Sequence, residues 1–187
     1  FGKSISYSYD GNANLTGFTD QFNGTVALSY DSMNRVGTMT DRNNNQTSYT
    51  YNNDGLMTRM NLPNGAYTTQ SYNNRDFATQ VAHRKSDDSL LDSFSYSYDS
   101  AGNPTSLTEG NGGSVSFSYD NVYQLTGDTR TGNNAYSITY QYDAVGNRTQ
   151  MVKDGQTTNY TYNSMNRMTQ AGSTTFGYDA NGNTTSK

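Results

Sequence analysis

Several side chains in this chain could do chemistry, but their spacing suits few reactions. Asp10-Gly11-Asn12-Ala13-Asn14 places oxygen ligands at alternate positions, as the start of a calcium loop does. The sixth position is Leu15 where such a loop needs glycine, and no Glu follows at the required offset. A hairpin turn is the better reading. His83 is the single histidine. Ser and Asp are so abundant that a Ser-His-Asp triad could be drawn around it by chance, and no nucleophile-elbow motif accompanies it. A solvated loop histidine is expected. Asp87-Asp88, flanked by Arg84-Lys85, would suit glycoside hydrolysis only with the two carboxylates held several ångströms apart in a cleft. They too are expected in a solvated loop. No catalytic residue, cofactor site or metal site is assigned, and an enzyme is not expected.

What does recur is tyrosine followed by Asp or Asn. Nine copies register on Tyr9, Tyr30, Tyr51, Tyr72, Tyr98, Tyr119, Tyr142, Tyr162 and Tyr178. The steps are 21, 21, 21, 26, 21, 23, 20 and 16 residues. Each tyrosine is followed by an Asx residue, among them Asp10, Asp31 and Asp99. Seven positions after the tyrosine stands Thr in every copy except that of Tyr30, where Gly37 replaces it. A fixed period of about 20 residues is the mark of a repeat architecture. Near-copies of one unit leave little room for a unique catalytic constellation.

Composition agrees with this. Hydrophobic residues make up 31% and charged residues 15%, yet there are 17 Tyr and 7 Phe. Aromatics bury about 150–250 Å² each, so order is expected in spite of the low apolar content. Net charge is -4, and all acids but Glu109 are Asp, which favours turns. The basic residues form no stripe, so no nucleic-acid partner is expected. There is no Cys, no signal peptide and no apolar run long enough to span a bilayer. Asn-X-Ser/Thr sequons, such as those at Asn14 and Asn147, arise by chance in an Asn- and Thr-rich chain. A start at Phe1 without Met, and an end at Lys187 inside a repeat, suggest a piece of a longer protein.

The elements that position these residues can be read from one repeat. Tyr96 and Tyr98 are two apart and share a strand face, as do Tyr7/Tyr9, Tyr49/Tyr51, Tyr140/Tyr142 and Tyr160/Tyr162. An Asx residue then opens a turn that Gly55, Gly102, Gly146 or Gly182, or Asn34 or Asn166, closes in a left-handed conformation. A second strand follows, carrying the recurrent Thr and, two residues on, an apolar residue such as Phe18, Met39 or Met60. Regular alternation puts Thr and that neighbour on one face. Each repeat is therefore a β-hairpin, and consecutive hairpins should pair into an antiparallel sheet that curves or spirals. The expected fold is all-β, one repeat domain over residues 1–187. Copies near Tyr72 and Tyr123 are degenerate, and Ala82 to Asp92 is an insertion suited to a specific contact.

These residues resemble the YD-repeat, or RHS (rearrangement hotspot), family. Tyr142-Asp143-Ala144-Val145-Gly146-Asn147-Arg148-Thr149 and Tyr98-Asp99-Ser100-Ala101-Gly102-Asn103-Pro104-Thr105 match its Y-D-x-x-G-[NR]-x-T pattern. The resemblance implies a sheet that spirals into a hollow shell. In bacterial toxins of the family the shell encloses a toxic C-terminal domain, and in teneurins a similar barrel belongs to an adhesion ectodomain. The family's autocleaving core segment and toxin domain are not found in this chain. Nine repeats are too few for a complete shell, so an open arc is expected.

The leading expectation is a structural shell segment of a secreted or surface-delivered bacterial protein, its partner an enclosed domain of the same parent. The alternative is a carbohydrate-binding or adhesive surface module using the tyrosine rows. Unpaired strand edges near Phe1 and Lys187 also predict edge-to-edge self-association.

Overall fold

The structure is a computed structural model that describes residues 3–187. Phe1, named above as lying near one sheet edge, falls outside the described residues. Among them there is no helix. The chain forms two compact units that meet in sequence at Ser95 and Tyr96.

In the first unit the strands are β1 (Ser6–Tyr9), β2 (Leu15–Thr19), β3 (Thr25–Tyr30), β4 (Val36–Thr40), β5 (Gln46–Tyr51), β6 (Met57–Asn61), β7 (Tyr67–Tyr72) and β8 (Ala78–Arg84). Strand β9 (Leu90–Tyr98) runs through the boundary. The second unit holds β10 (Pro104–Glu109), β11 (Ser114–Tyr119), β12 (Leu125–Thr131), β13 (Tyr136–Tyr142), β14 (Arg148–Lys153), β15 (Gln156–Tyr162) and β16 (Met168–Ala171). It ends with β17 (Thr174–Thr175), β18 (Gly177–Tyr178) and β19 (Thr184–Ser186). From β1 to β9 each strand pairs antiparallel with the next. From β10 to β17 the same holds, and β18 pairs with β19. The expected chain of antiparallel hairpins is what forms.

Eight hairpins slip register at the repeat tyrosine. In the first, Tyr7 faces Phe18 and Ser8 faces Gly17, but Tyr9 faces Leu15. Thr16 is thus the extra residue of a β-bulge. The same slip occurs at Tyr30, Tyr51, Tyr72, Tyr119, Tyr142, Tyr162 and Tyr178. The recurrent Thr, or Gly37 in its place, is the bulged residue each time.

This corrects one expectation. Thr16 and Phe18 do not share a face: Thr16 Oγ1 donates to Ser8 Oγ at 3.0 Å, whereas Phe18 lies opposite Tyr7. The bulge inverts the alternation. The Ser or Thr that precedes seven of the nine tyrosines and the Thr at the bulge form a hydroxyl row on one face, as in Ser118/Thr126 at 3.2 Å and Thr161/Thr169 at 2.8 Å. The aromatic residues occupy the other.

The insertion merely lengthens a hairpin. It extends β8 and β9 around a turn at residues 85–89 of the same type as its neighbours. The degenerate copy at Tyr72 also keeps its bulge.

Burial is shallow throughout. Among the described residues only Ala82, Val115 and Thr68, at 4%, 5% and 6% exposure, and the glycines Gly17 and Gly113 are buried. The accessible surface is 12040 Å², where a compact chain of this mass would show about 8,900 Å².

Candidate functional site

A feature rebuilt six times along the chain is the junction between one repeat and the repeat before it. Tyr30 Oη donates to the carbonyl of Leu15 at 2.8 Å, Tyr51 Oη to Val36 at 2.9 Å, and Tyr72 Oη to Met57 at 2.7 Å. In the second unit Tyr142 reaches Leu125 at 2.8 Å, Tyr162 reaches Arg148 at 3.0 Å, and Tyr178 reaches Met168 at 2.7 Å. In each case the acceptor is the residue six after the preceding tyrosine, the partner of that tyrosine across its bulge. A bulge disrupts the ladder, and the phenol brings a donor to that point. Phenylalanine would supply the ring without the hydroxyl, which accounts for tyrosine at these six positions.

The acceptor position also has its own side-chain signal. Leu15, Val36, Met57, Ala78, Leu125 and Met168 place an apolar side chain there. The sequence reading weighed only the apolar slot three residues later. It missed this one because regular alternation, without the bulge, assigns it no special role.

The turns are locked by their Asx residues. Asp10 Oδ1 accepts from the amides of Asn12 and Asn14, both at 2.9 Å, and Asp10 Oδ2 from the Asn14 side chain at 2.9 Å. Asp99 with Asn103, Asp143 with Asn147 and Asp179 with Asn183 repeat this pattern. At Asp31 the guanidinium of Arg35 replaces the amide, at 2.7 Å. These donors hold the carboxyls of Asp10, Asp31, Asp99, Asp143 and Asp179 below the usual carboxylate range, the side-chain bond being the largest cause in each. The closing residue is left-handed: φ is 86° at Gly55, 99° at Gly102, 90° at Gly146 and 86° at Gly182, and 60° and 57° at Asn34 and Asn166. Tyr123 takes this conformation too, with φ 66°.

Arginine reinforces the junction. Arg35 lies over the Tyr51 ring, 4.5 Å from its centroid, and donates to the Asn52 carbonyl at 3.1 Å. Arg167 sits over Tyr178 at 5.0 Å. At the opposite hairpin ends, Arg42 pairs with Asp20, and Arg130 holds Glu109 with two bonds of 2.6 Å. Desolvation raises the phenol pKa of Tyr51, Tyr72, Tyr98, Tyr119, Tyr142 and Tyr162. These six are half-buried, whereas Tyr9 is 62% exposed.

The residues weighed for chemistry lie apart from this. His83 is not in a loop. It sits in β8, half-buried, with Nδ1 at 2.9 Å from Thr68 Oγ1 and its ring edge-on to Phe94. The longer hairpin created by the insertion carries it into the sheet. Asp87 accepts the amide and hydroxyl of Ser89 at 3.0 and 2.6 Å, and Asp88 accepts the Tyr67 hydroxyl at 2.7 Å. Both are exposed turn residues. Asp10 to Asn14 is a turn whose carboxylate is already engaged. Among the described residues no three His, Cys, Asp or Glu side chains are grouped to hold a metal, and no helix is long and apolar enough to cross a membrane. Shallow polar grooves run between successive turns. One of about 480 Å³ is lined by Asn52, Asp54, Thr58, Gln70 and Tyr72, and one of about 560 Å³ by Asp120, Gln124, Thr126, Tyr140 and Gln141.

Comparison with known proteins agrees with the resemblance read from the repeats. Residues 103–187 match the Teneurin YD-shell family. No curated protein sequence matches the chain. Among solved structures, the crystal structure of TcdB2-TccC3-TEV superposes with a TM-score of 0.76 at 22% identity, covering 89% of this chain and 10% of that one. A Photorhabdus luminescens Tc holotoxin pore with a mutated TccC3 gives 0.76 at 20% identity, covering 96% and 12%. The crystal structure of TcdB2-TccC3-Cdc42 gives 0.76 at 20%, covering 97% and 12%. The fold is shared with these structures, and the chain spans about a tenth of their length.

Proposed function

We propose that this chain is a wall segment of a YD-repeat shell, a piece of a longer, secreted or surface-delivered bacterial protein. The shell would enclose a toxic domain of the same parent, and the segment itself would perform no catalysis. The nine tyrosines act as structural rungs and the Asx–Gly turns as the fixed rims of the wall. One observation carries this reading. The tyrosine-to-carbonyl junction recurs at six repeats, while the carboxylates that follow the repeat tyrosines are engaged in their own turns. A sheet with so little of its own interior also suits a wall covered by something on one side.

The test is protease protection in the parent protein. Replacing Tyr51 and Tyr72 with Ala should open the wall and expose an enclosed domain to cleavage that the unaltered protein resists. A domain equally sensitive in both proteins would count against enclosure. The grooves between turns, lined by amides, hydroxyls and tyrosine, favour a second reading as a glycan-binding module. A glycan array separates the two: a wall segment binds no sugar selectively.

A further inference from the structure

The tyrosine junction is the same at six places. A junction built alike at every step cannot tell which repeat should follow which. Choosing among near-identical partners needs contacts that differ between them. The turns supply such contacts.

The residue five after a repeat tyrosine reaches the turn of the next repeat, and it does so in two ways. Where it is Asn, it meets Asn. Asn14 Nδ2 donates to Asn34 Oδ1 at 2.9 Å, and Asn147 Nδ2 to Asn166 Oδ1 at 3.0 Å. Both acceptors stand four residues after the next tyrosine and close its turn in the left-handed conformation. Where the side chain is longer, it meets glycine at that same position. Arg35 Nη1 lies against Gly55 and donates to the Asn52 carbonyl at 3.1 Å. Arg167 Nη1 lies against Gly182 and donates to the Asp179 carbonyl at 3.5 Å. Gln124 Nε2 lies against Gly146.

The glycines leave room for the longer side chains. A Cβ at Gly146 would stand 3.1 Å from Gln124 Nε2, and one at Gly182 would stand 3.3 Å from Arg167 Nη1, both tighter than ordinary contact. At Gly55 the distance to Arg35 Nη1 would be 3.8 Å. Asn as well as Gly visits the left-handed region routinely, so backbone conformation alone does not decide between them. The neighbouring side chain does. Both kinds of pair occur in the first unit, at 14/34 and 35/55, and again in the second, at 147/166, 124/146 and 167/182. Leu56 with Asp76 and Asn103 with Tyr123 stand at the same positions and belong to neither kind.

We propose that the residue five after each repeat tyrosine selects the turn of the following repeat, Asn taking Asn and Arg or Gln taking Gly, so that matched turns fix the order in which repeats join. Asn14 and Asn147 are held by their own turn carboxylates, Asp10 and Asp143, and so present an amide hydrogen to the next turn. Glycine there would offer no side-chain oxygen to receive it. Arg35 and Arg167 instead reach a backbone carbonyl past a position that has no Cβ. A slip of one repeat in the second unit would set Gln124 against Asn166 and Asn147 against Gly182, a mismatch at both. This goes beyond the wall reading and does not depend on what a shell encloses.

The test exchanges partners without changing composition. Gln124→Asn with Asn147→Gln mismatches both pairs from one side. Gly146→Asn with Asn166→Gly mismatches them from the other. All four substitutions together restore both matches in exchanged places. The folding equilibrium constant, from urea unfolding of the whole chain, should fall about tenfold in each mismatched variant. The fourfold variant should keep a constant at least about tenfold above the product of the two losses, because effects special to each position cancel in such a cycle. A fourfold variant that loses the full product would overturn the proposal. The unmatched pair gives a second measurement. Tyr123→Asn should gain about threefold more with Asn103 in place than in an Asn103→Ala background, whereas Tyr123→Gly should gain equally in both. An equal gain for Tyr123→Asn in the two backgrounds would also overturn it.

Discussion

Tyr9 and Tyr51 occupy the same position in the same kind of hairpin, and they behave differently. Both follow a Ser or Thr, precede an Asx turn and face an apolar residue across a bulge. Tyr51 nevertheless has its hydroxyl on the Val36 carbonyl and the Arg35 guanidinium over its ring, and is half-buried. Tyr9 is 62% exposed. The difference teaches that a YD hairpin does not bury its own tyrosine. The preceding repeat does, so stability resides at the junctions between units, as in other repeat proteins.

The largest contrast should come from truncation. Tyr51→Ala removes a half-buried ring, an arginine contact and a hydrogen bond, and should cost about 2–3 kcal/mol, below the range for fully buried aromatics. Tyr9→Ala, measured by urea unfolding at concentrations where the chain is monomeric, should cost less than about 1 kcal/mol. Equal losses would place the tyrosine's contribution within its own hairpin.

The turns should be less sensitive than the junctions. Gly146 has φ 90°, and Gly146→Val should cost about 1–2 kcal/mol through left-handed strain. Tyr123 carries such strain already, at φ 66° and 62% exposure. Tyr123→Gly should therefore raise stability by about 0.5–1 kcal/mol, read as a higher melting temperature. A lower melting temperature would show that Tyr123 makes a contact worth more than its strain.

The two sites should also respond to pH from opposite ends. The turn carboxyls of Asp10, Asp99, Asp143 and Asp179 have folded pKa values below the unbonded value of 3.8. Their contribution is present above that value and is lost as pH falls through the folded pKa values. The junction phenols of Tyr51, Tyr72, Tyr142 and Tyr162 are raised above 10.0. Their contribution is present below pH 10 and is lost as pH rises through the folded values. Tyrosinate absorbance from these four phenols should therefore appear above pH 10, together with loss of the folded state. Their ionisation without unfolding would separate the phenols from the stability of the junctions.

Much of this was legible in the sequence. Tyrosines two apart fixed the aromatic face, and Asp143 with Gly146 fixed a turn, because both follow from local geometry. The bulge at Thr16 was not legible, since a register slip depends on which residue faces which across two strands. From that one slip followed the mistaken placement of Thr16 beside Phe18, and the oversight of Leu15 as the residue whose carbonyl the next tyrosine binds. His83 was misplaced for a related reason: its partners Thr68 and Phe94 come from neighbouring strands. Tyr9 and Tyr51 look alike in sequence because their difference lies in what covers them.

The bond from phenol hydroxyl to carbonyl joins a repeat to the one before it at six junctions. Its most direct test compares Tyr51→Phe with Tyr9→Phe in urea unfolding of monomeric chain, since each variant removes only that oxygen. Tyr51→Phe should cost about 1 kcal/mol, the usual net worth of one hydrogen bond, and Tyr9→Phe close to nothing. Equal effects, or none at Tyr51, would contradict the claim that the hydroxyl-to-carbonyl bond holds successive repeats together.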